Sequence, residues 1–373
     1  MSGIYLHIPF CSQACSYCNF HFSTSMKLKK EILSAMRSEI HHQTSFLDEP
    51  VQTIYFGGGT PSLLTIQEIE GLVKSLSDEF DLSRVTEFTF EANPENITAD
   101  YLENLKALGI NRLSIGIQSF FDRDLKIMNR VHDTKIARTA LETALQAGLK
   151  SINIDLIYGL PWSTSQNFEK NLEILNGYPV DHLSAYALTI EPRTALSHRI
   201  KTGQLQNVND EMALEDFQIL QHWAGSCGFE HYEISNLSLP GHQAVHNSNY
   251  WLGNPYLGIG PSAHSYDGKH RYWNVSHNPN YIKTINEGAL PNEEETLNDR
   301  DVYNESVMLG LRLSKGLSLE KIESVGKKFL DHLLAESQNK IEAGILHIEN
   351  DHLILAEDQR FFADGHASDL FLV

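Results

Sequence analysis

Three cysteines near the start of the chain have a spacing that predicts an iron–sulfur site. Cys11, Cys15 and Cys18 form a C-x3-C-x2-C run, which places three thiols on one short segment. Such clusters are usually held by four cysteines, so three close ligands leave one iron free to bind another partner. Cys227 follows more than 200 residues later, in a segment typical of a helix end. We expect Cys227 to be a small buried apolar residue outside the cluster.

Two other uses of these cysteines are possible, and the pattern favours neither. A structural zinc site could take His7 or His21 as a fourth ligand, but such sites usually pair two ligand knuckles, and the sequence has no second knuckle. A disulfide framework is disfavoured because four cysteines in 373 residues and the absence of a signal peptide indicate a reducing interior. We therefore expect a cytoplasmic protein.

The charge balance disfavours two classes of partner. The chain has 48 acidic and 29 basic side chains and a net charge of −19, which repels phosphate backbones and anionic membranes. It has neither an apolar run of eighteen residues nor a charged leader followed by an apolar segment. The sequence therefore disfavours binding to nucleic acid and direct binding to a membrane.

The first two thirds of the chain alternate β-rich runs with amphipathic helices, as in parallel α/β folds. Six such units are too few for a closed eight-stranded barrel, so we predict a partial (βα)6 TIM-like barrel with a smaller, mainly helical C-terminal domain. Chemistry in such folds collects on loops that leave the C-terminal strand ends, and the cysteine loop is the first of these. Strands are predicted at 3–8, 51–56, 85–92, 112–117, 151–158 and 182–188.

Helical periodicity and composition divide the chain further. Leu28, Ile32, Met36 and Ile40 recur every four residues and predict a helix after the cysteine loop. A segment rich in Gly, Pro, Asn and aromatic residues interrupts the pattern before helices resume, and a small hairpin or a strand is predicted at 347–355. Further helices are predicted at 65–76, 98–108, 133–147 and 163–175. The predicted domains are a barrel at 1–228, a connecting segment at 229–294 and a helical domain at 295–373.

Several ordered motifs accompany the cysteine run. They are FGGGTP at 56–61, EANPE at 91–95, GIQSF at 116–120, DLIYGLP at 155–161 and LGLR at 309–312. Together with the cysteine run, these motifs resemble the radical S-adenosylmethionine (SAM) enzymes along nearly the whole chain, and they look like the coproporphyrinogen dehydrogenase branch. The resemblance implies a [4Fe-4S] cluster on Cys11, Cys15 and Cys18, whose fourth iron binds SAM for reductive cleavage.

The resemblance also implies which residues contact the cofactor. Glycines after an apolar strand let backbone groups approach a ligand closely. Glu91 ends the third predicted strand, where a carboxylate can accept hydrogen bonds from ribose hydroxyls. Catalytic residues stay unassigned. The implied cofactor contacts are Tyr5, Gly58, Gly59, Thr60, Glu91, Gln118, Arg130 and Asp155.

Three departures from the dehydrogenase pattern favour a different branch. Phe20 stands where the dehydrogenase has a further cysteine, and Tyr5 lies so near the first residue that we expect no N-terminal extension. An H-N-x-x-Y-W motif spans 246–251. These features resemble the HemW group of haem chaperones. The implied function is haem binding and transfer to a haem-acceptor protein, and the alternative is an oxygen-independent coproporphyrinogen III dehydrogenase that makes protoporphyrinogen IX.

The same motif supplies a candidate haem ligand. A neutral imidazole can ligate haem iron, and aromatic rings such as Tyr250 and Trp251 can stack on a flat macrocycle. His246 is the implied ligand, while His242 and His264 are nearby competitors. The chemistry also implies an electron donor such as a flavodoxin or ferredoxin.

Overall fold

The six predicted β-rich runs form the parallel part of one sheet in the computed structural model, which describes residues 2–373. Most of their residues are buried on both faces of the sheet, including polar ones such as Thr53, Ser114 and Asn153. Observed and predicted bounds differ by at most two residues at any end. The strands are β1 (Ser2–Ile8), β2 (Val51–Gly58), β3 (Glu87–Ala92), β4 (Arg112–Gln118), β5 (Ser151–Tyr158) and β6 (His182–Ala187).

Helices connect these strands and cover the outer face of the sheet. Several begin at a side chain that caps the first backbone N–H groups, as at Thr65, where a capping box with Glu68 starts the second helix. Three later helices begin at a side chain that accepts a hydrogen bond from a backbone N–H of the first turn. These side chains belong to Thr98, Asp133 and Thr164. These helices are α1 (Lys29–His42), α2 (Ile66–Glu79), α3 (Ala99–Ala107), α4 (Asp122–Ile127), α5 (Thr134–Gln146) and α6 (Ser165–Leu175).

The sheet stays open, as predicted for a partial barrel. Strands β1 to β6 are neighbours in sequence order and pair in parallel. Beyond β6 the sheet continues with short antiparallel strands, and no closed barrel forms among residues 2–373. The predicted fold class is therefore confirmed. The elements after β6 are α7 (Ala195–Lys201), α8 (Asp210–Cys227), β7 (Glu230–His231) and β8 (Asn236–Ser238).

The predicted connecting segment, 229–294, contributes strands to both ends of the main sheet. Strands β7 and β8 lie beyond β6. At the other end, one strand pairs in parallel with β1, and three more strands follow in antiparallel order. These strands were not predicted from the sequence, because runs of three to five residues between turns have little periodicity. The elements are α9 (Val245–Leu252), β9 (Tyr256–Ile259), β10 (His264–Tyr266), β11 (His270–Asn274), α10 (Asn278–Asn286) and β12 (Asn292–Thr296).

The C-terminal region has an apolar core of its own. Buried residues from Tyr303 to Leu370 form a cluster separate from the core around the large sheet. The predicted hairpin is present, and the domain boundary near 295 stays a prediction. The elements are α11 (Asp299–Arg312), β13 (Leu317–Ser318), α12 (Leu319–Val325), α13 (Lys327–Glu342), β14 (Leu346–Glu349), β15 (His352–Leu355) and α14 (Ala363–Ser368), with short 3₁₀ helices at Pro61–Leu63, Pro94–Asn96 and Glu357–Phe362.

Within residues 2–373, no helix combines the length and apolar character that crossing a bilayer requires.

Candidate functional site

The cysteine loop leaves the C-terminal end of β1 and is held by backbone hydrogen bonds. Cys11 N–H donates to the carbonyl of Ser23 at 3.1 Å, and Ser23 N–H donates to the carbonyl of Pro9 at 2.9 Å. Ser16 N–H donates to the carbonyl of Met128 at 2.9 Å, which ties the middle of the loop to the chain beyond α4. The loop is thus anchored at its base and its tip while its three thiols stay half-buried.

Two side chains donate hydrogen bonds to the thiols. Thr60 Oγ1 lies 3.5 Å from Cys11 Sγ, and Arg130 Nη1 lies 3.3 Å from Cys15 Sγ. Arg130 Nη2 donates to Asn93 Oδ1 and to the carbonyl of Gly116, both at 2.8 Å. The Arg130 guanidinium is thereby fixed beside Cys15 Sγ, where it can donate to a metal-bound sulfur.

Burial disfavours the charged form of two of the thiols. It raises the pKa of Cys11 to about 11, although the bond from Thr60 lowers that pKa somewhat. Burial also raises the pKa of Cys18. Without metal these two thiols are therefore protonated, and a metal that binds them would displace their protons.

The chemistry of the donor set bears on the kind of metal group. The three thiols line one cavity. Cysteine thiolates are the ligands that hold iron–sulfur clusters, so the donor set fits such a cluster. Among residues 2–373, no three Cys, His, Asp or Glu side chains form a site for a single metal ion.

The cavity has a volume of about 430 Å³ and lies at the C-terminal ends of the parallel strands. It contains all the implied cluster and cofactor residues except Tyr5 and His246. The cavity is also lined by residues that the motifs did not single out as contacts, namely Gln13, Tyr17, Asn93 and Tyr186. The predicted residues that line it are Cys11, Cys15, Cys18, Gly58, Gly59, Thr60, Glu91, Gln118, Arg130 and Asp155.

Close backbone approach explains two of the glycines. Gly58 has a φ of +101°, and a Cβ there would lie 2.5 Å from His7 Nδ1. A Cβ on Gly59 would lie 2.6 Å from the carbonyl oxygen of Phe10, at the start of the cysteine loop. Any side chain at either position would push the loop or β1 away. The absence of side chains at Gly58 and Gly59 therefore lets the end of β2 pack directly against β1 and the cysteine loop.

Two carboxyl groups face the cavity with raised pKa values. Burial raises the pKa of Glu91 to about 7, against a hydrogen bond from Tyr55 Oη at 2.7 Å, and the charge of Asp155 raises it further. Burial likewise raises the pKa of Asp155 to about 6, although Asn153 Nδ2 donates to it at 2.7 Å. Desolvated carboxyl groups beside a cavity are strong acceptors for ligand hydroxyl or amino groups.

Backbone strain marks the end of β4. Gln118 has a φ of +68°, a left-handed conformation uncommon for a residue with a side chain. The pairing register between β4 and β5 shifts between Ile115 and Gln118. This irregularity lies where Gln118 lines the cavity, and strained residues of this kind cluster at ligand sites.

A second and larger cavity, of about 1040 Å³, lies beside the first. Its walls come from β1, from the segment between α9 and β11, and from α11 and α12 of the C-terminal region. Asn19 and Phe20 line both cavities, and the Phe20 side chain is 69% exposed. Tyr5, excluded from the first cavity, lines this one. The cysteine loop thus forms part of the wall of the second cavity.

His246 lies outside both cavities. It is buried at 1% exposure on α9, with Nδ1 2.8 Å from Thr53 Oγ1 and Nε2 2.8 Å from Tyr250 Oη. Glu87 accepts hydrogen bonds from the backbone N–H groups of Val245 and His246 at the start of the helix. Burial lowers the pKa of His246 to about 3. Both ring nitrogens are engaged, so this geometry leaves none for iron.

Comparisons with known proteins define the class of this chain. Residues 5–175 match the radical SAM superfamily, and residues 297–362 match the HemN C-terminal domain. The solved coproporphyrinogen III oxidase HemN from Escherichia coli, a radical SAM enzyme, superposes with a TM-score of 0.84 at 25% identity, over 99% of this chain and 90% of that one. The chain is a radical SAM protein, a superfamily that implies a [4Fe-4S] cluster and SAM.

Full-length relatives narrow the assignment. The protein named heme chaperone HemW in Mycobacterium tuberculosis is 35% identical over 97% of this chain and 93% of its own length. HemW proteins of Lactococcus lactis and Bacillus subtilis are each 33% identical, covering 97% and 93% of their own lengths. The chain belongs to the HemW family.

Proposed function

We propose that this chain is a haem chaperone, which binds a [4Fe-4S] cluster, SAM and haem and transfers haem to an acceptor protein. The observation that carries the proposal is the full-length similarity to proteins named heme chaperone HemW. It is supported by two adjoining cavities that share Asn19 and Phe20. One cavity has the volume and thiols for a cluster with its small-molecule ligand, and the other has the volume for a macrocycle.

The thiols of Cys11, Cys15 and Cys18 would hold the cluster, and the surrounding polar groups would hold SAM. When bound, the cluster and SAM supply the chemistry of reductive sulfonium cleavage. The chain's own part is to orient SAM and to exclude water and oxygen. The proposed SAM contacts are Gly58, Gly59, Thr60, Glu91, Gln118, Arg130 and Asp155.

Partners and location follow from the same proposal. Haem is the cargo, a haem-acceptor protein receives it, and a flavodoxin or ferredoxin supplies electrons to the cluster. The net charge of −19 disfavours direct binding to nucleic acid or anionic lipid. We infer a cytoplasmic location and contact with a membrane only through the acceptor.

Haem binding and transfer test the function directly. We expect the anaerobically reconstituted protein to bind one haem, seen as a Soret band that saturates on titration, and to pass it to an apo-protein trap. We expect no conversion of coproporphyrinogen III when the same sample receives SAM and a reductant. Failure to bind haem, or turnover to protoporphyrinogen IX, would contradict the chaperone assignment.

The second candidate is an oxygen-independent coproporphyrinogen III dehydrogenase. The observation that favours it is the superposition on Escherichia coli HemN with a TM-score of 0.84. Porphyrinogen turnover in the experiment above would select this function.

We expect Glu91→Ala to weaken SAM binding by about tenfold to a hundredfold, because it removes a desolvated carboxylate that accepts hydrogen bonds. The measurement is equilibrium titration of the cluster-loaded protein with SAM under anaerobic conditions. Glu103→Ala, on the exposed face of α3, is the matched control and should leave the affinity unchanged. Equal affinities in all three proteins would remove Glu91 from the SAM site.

A further inference from the structure

The larger cavity contains three histidines, and they differ in how their ring nitrogens are used. His7 is engaged at both nitrogens, by Tyr5 Oη at 3.2 Å and by the carbonyl oxygen of His21 at 2.9 Å. His21 Nε2 lies 2.7 Å from Asn278 Oδ1. The third, His264, makes no side-chain hydrogen bond or ion pair to any part of residues 2–373. It is the histidine of this cavity with both nitrogens available.

His264 is also well placed as a ligand. It starts β10, is exposed, and lines the cavity that Tyr256 and Tyr266 also line. Either ring nitrogen of a neutral imidazole can bind metal, and both are available here.

The cavity also contains an ammonium group with no direct ion pair. Lys321 on α12 is half-buried, and its Nζ donates to the carbonyl of Leu252 at 3.1 Å. The charge of Glu305 acts on Lys321, but Glu305 is paired with Arg271. No carboxylate among residues 2–373 lies within ion-pair distance of Lys321. Such a half-buried ammonium group can pair with an anionic group of a ligand.

We propose that haem occupies this cavity with the imidazole of His264 as its iron ligand and with one propionate against the ammonium group of Lys321. This assignment rests on the proposed function and places the ligand outside the H-N-x-x-Y-W motif. His246 then has a positioning role, since its bonds to Thr53 and Tyr250 fix α9 behind the cavity wall. Tyr250 does line the cavity, so the motif contributes an aromatic surface to it.

Titration of the anaerobically prepared full chain with haem tests the ligand. We expect His264→Ala to weaken haem binding by about tenfold or more and to shift the Soret band of the bound fraction, because the iron loses its imidazole. Added imidazole should restore the wild-type spectrum. His222→Ala, an exposed position on α8, is the matched control and should bind like wild type.

The propionate contact has its own test. We expect Lys321→Ala to weaken haem binding by about threefold to tenfold with an unchanged Soret band, because the iron ligand is still present. The effect should vanish when haem dimethyl ester replaces haem, since the ester has no carboxylate. Equal loss with haem and with the ester would overturn the Lys321 contact.

Two results separate failure of this site from failure of the function. If His264→Ala keeps the wild-type spectrum and affinity while His246→Ala, folded by circular dichroism, loses them, the assignment to His264 is overturned and haem binding stands. If the wild-type chain binds no haem, the proposed function itself fails.

Discussion

We expect Cys15→Ser to abolish the iron–sulfur cluster. Its thiol is the one beside the Arg130 guanidinium, and with no fourth cysteine in the loop a cluster cannot lose one of three ligands and remain held. Anaerobic reconstitution should load the wild-type chain with about four irons and produce a broad visible absorption. The variant should lose most of both. Iron and sulfide assays together with the absorption spectrum are the measurements.

Cys227→Ser is the matched control. Cys227 ends α8 far along the chain, and its Sγ lies 3.3 Å from Asn176 Oδ1. It does not line the thiol cavity. We expect this variant to keep its full iron content and spectrum. A normal cluster in Cys15→Ser, or loss of the cluster in Cys227→Ser, would contradict the ligand assignment.

We expect Glu39→Ala to destabilise the fold by about 3 kcal/mol or more, because it leaves three buried donors unpaired. Glu39 on α1 is fully buried, and its carboxyl group accepts from Tyr281 Oη at 2.5 Å, Asn274 Nδ2 at 2.6 Å and Gly260 N–H at 2.8 Å. It thereby joins the first helix to the late part of the sheet. The midpoint of urea unfolding measures the loss, and Glu31→Ala, exposed on the same helix, should leave it unchanged.

The same residue predicts a pH dependence with a definite sign. Burial raises the pKa of Glu39 to about 7, from a normal value of 4.5, although its three donors lower it. The folded state therefore binds this proton more tightly than the unfolded state. The contribution of Glu39 to the free energy of unfolding is largest below about pH 4.5, falls as the pH rises to about 7, and is constant above that.

Glu39→Gln isolates that contribution, since the amide does not titrate. The unfolding free energy of wild type minus that of Glu39→Gln should decrease as the pH rises from about 5 to about 7 and then stay level. Denaturant melts at a series of pH values measure this difference. A difference that grows with pH would show that the donors outweigh burial.

The parallel strands could be predicted because their information is local. Runs such as 151–158 alternate polar and apolar residues over most of their length and lie between helical periods, so strand type and bounds follow from the sequence alone. Strand β2 extends to Gly58, two residues beyond the prediction, because Gly57 and Gly58 still pair with β1. Strand β9 could not be predicted from the sequence, since its four residues form a strand only through their pairing with β1.

The residues of the candidate site also differ in whether a local sequence pattern could predict them. The cysteines and glycines stand in short motifs, so their spacing was enough to predict a shared loop and cavity wall. No local pattern brings Lys321 to the cavity that His264 lines, because they belong to elements that meet only in the folded chain. The sequence also could not predict that both ring nitrogens of His246 are hydrogen-bonded, since its partner Thr53 lies about 190 residues away along the chain.

The pairing of β1 with β9 has a consequence for the order of assembly during synthesis. Leu6 pairs with Ile259, so the strand that leads into the cysteine loop gains its second neighbour only after about 250 further residues have left the ribosome. Until then one edge of β1 presents unpaired backbone groups. Domains acquire such distant pairings late. Cluster insertion is therefore expected to follow release of most of the chain, when the loop is carried by a strand paired on both sides.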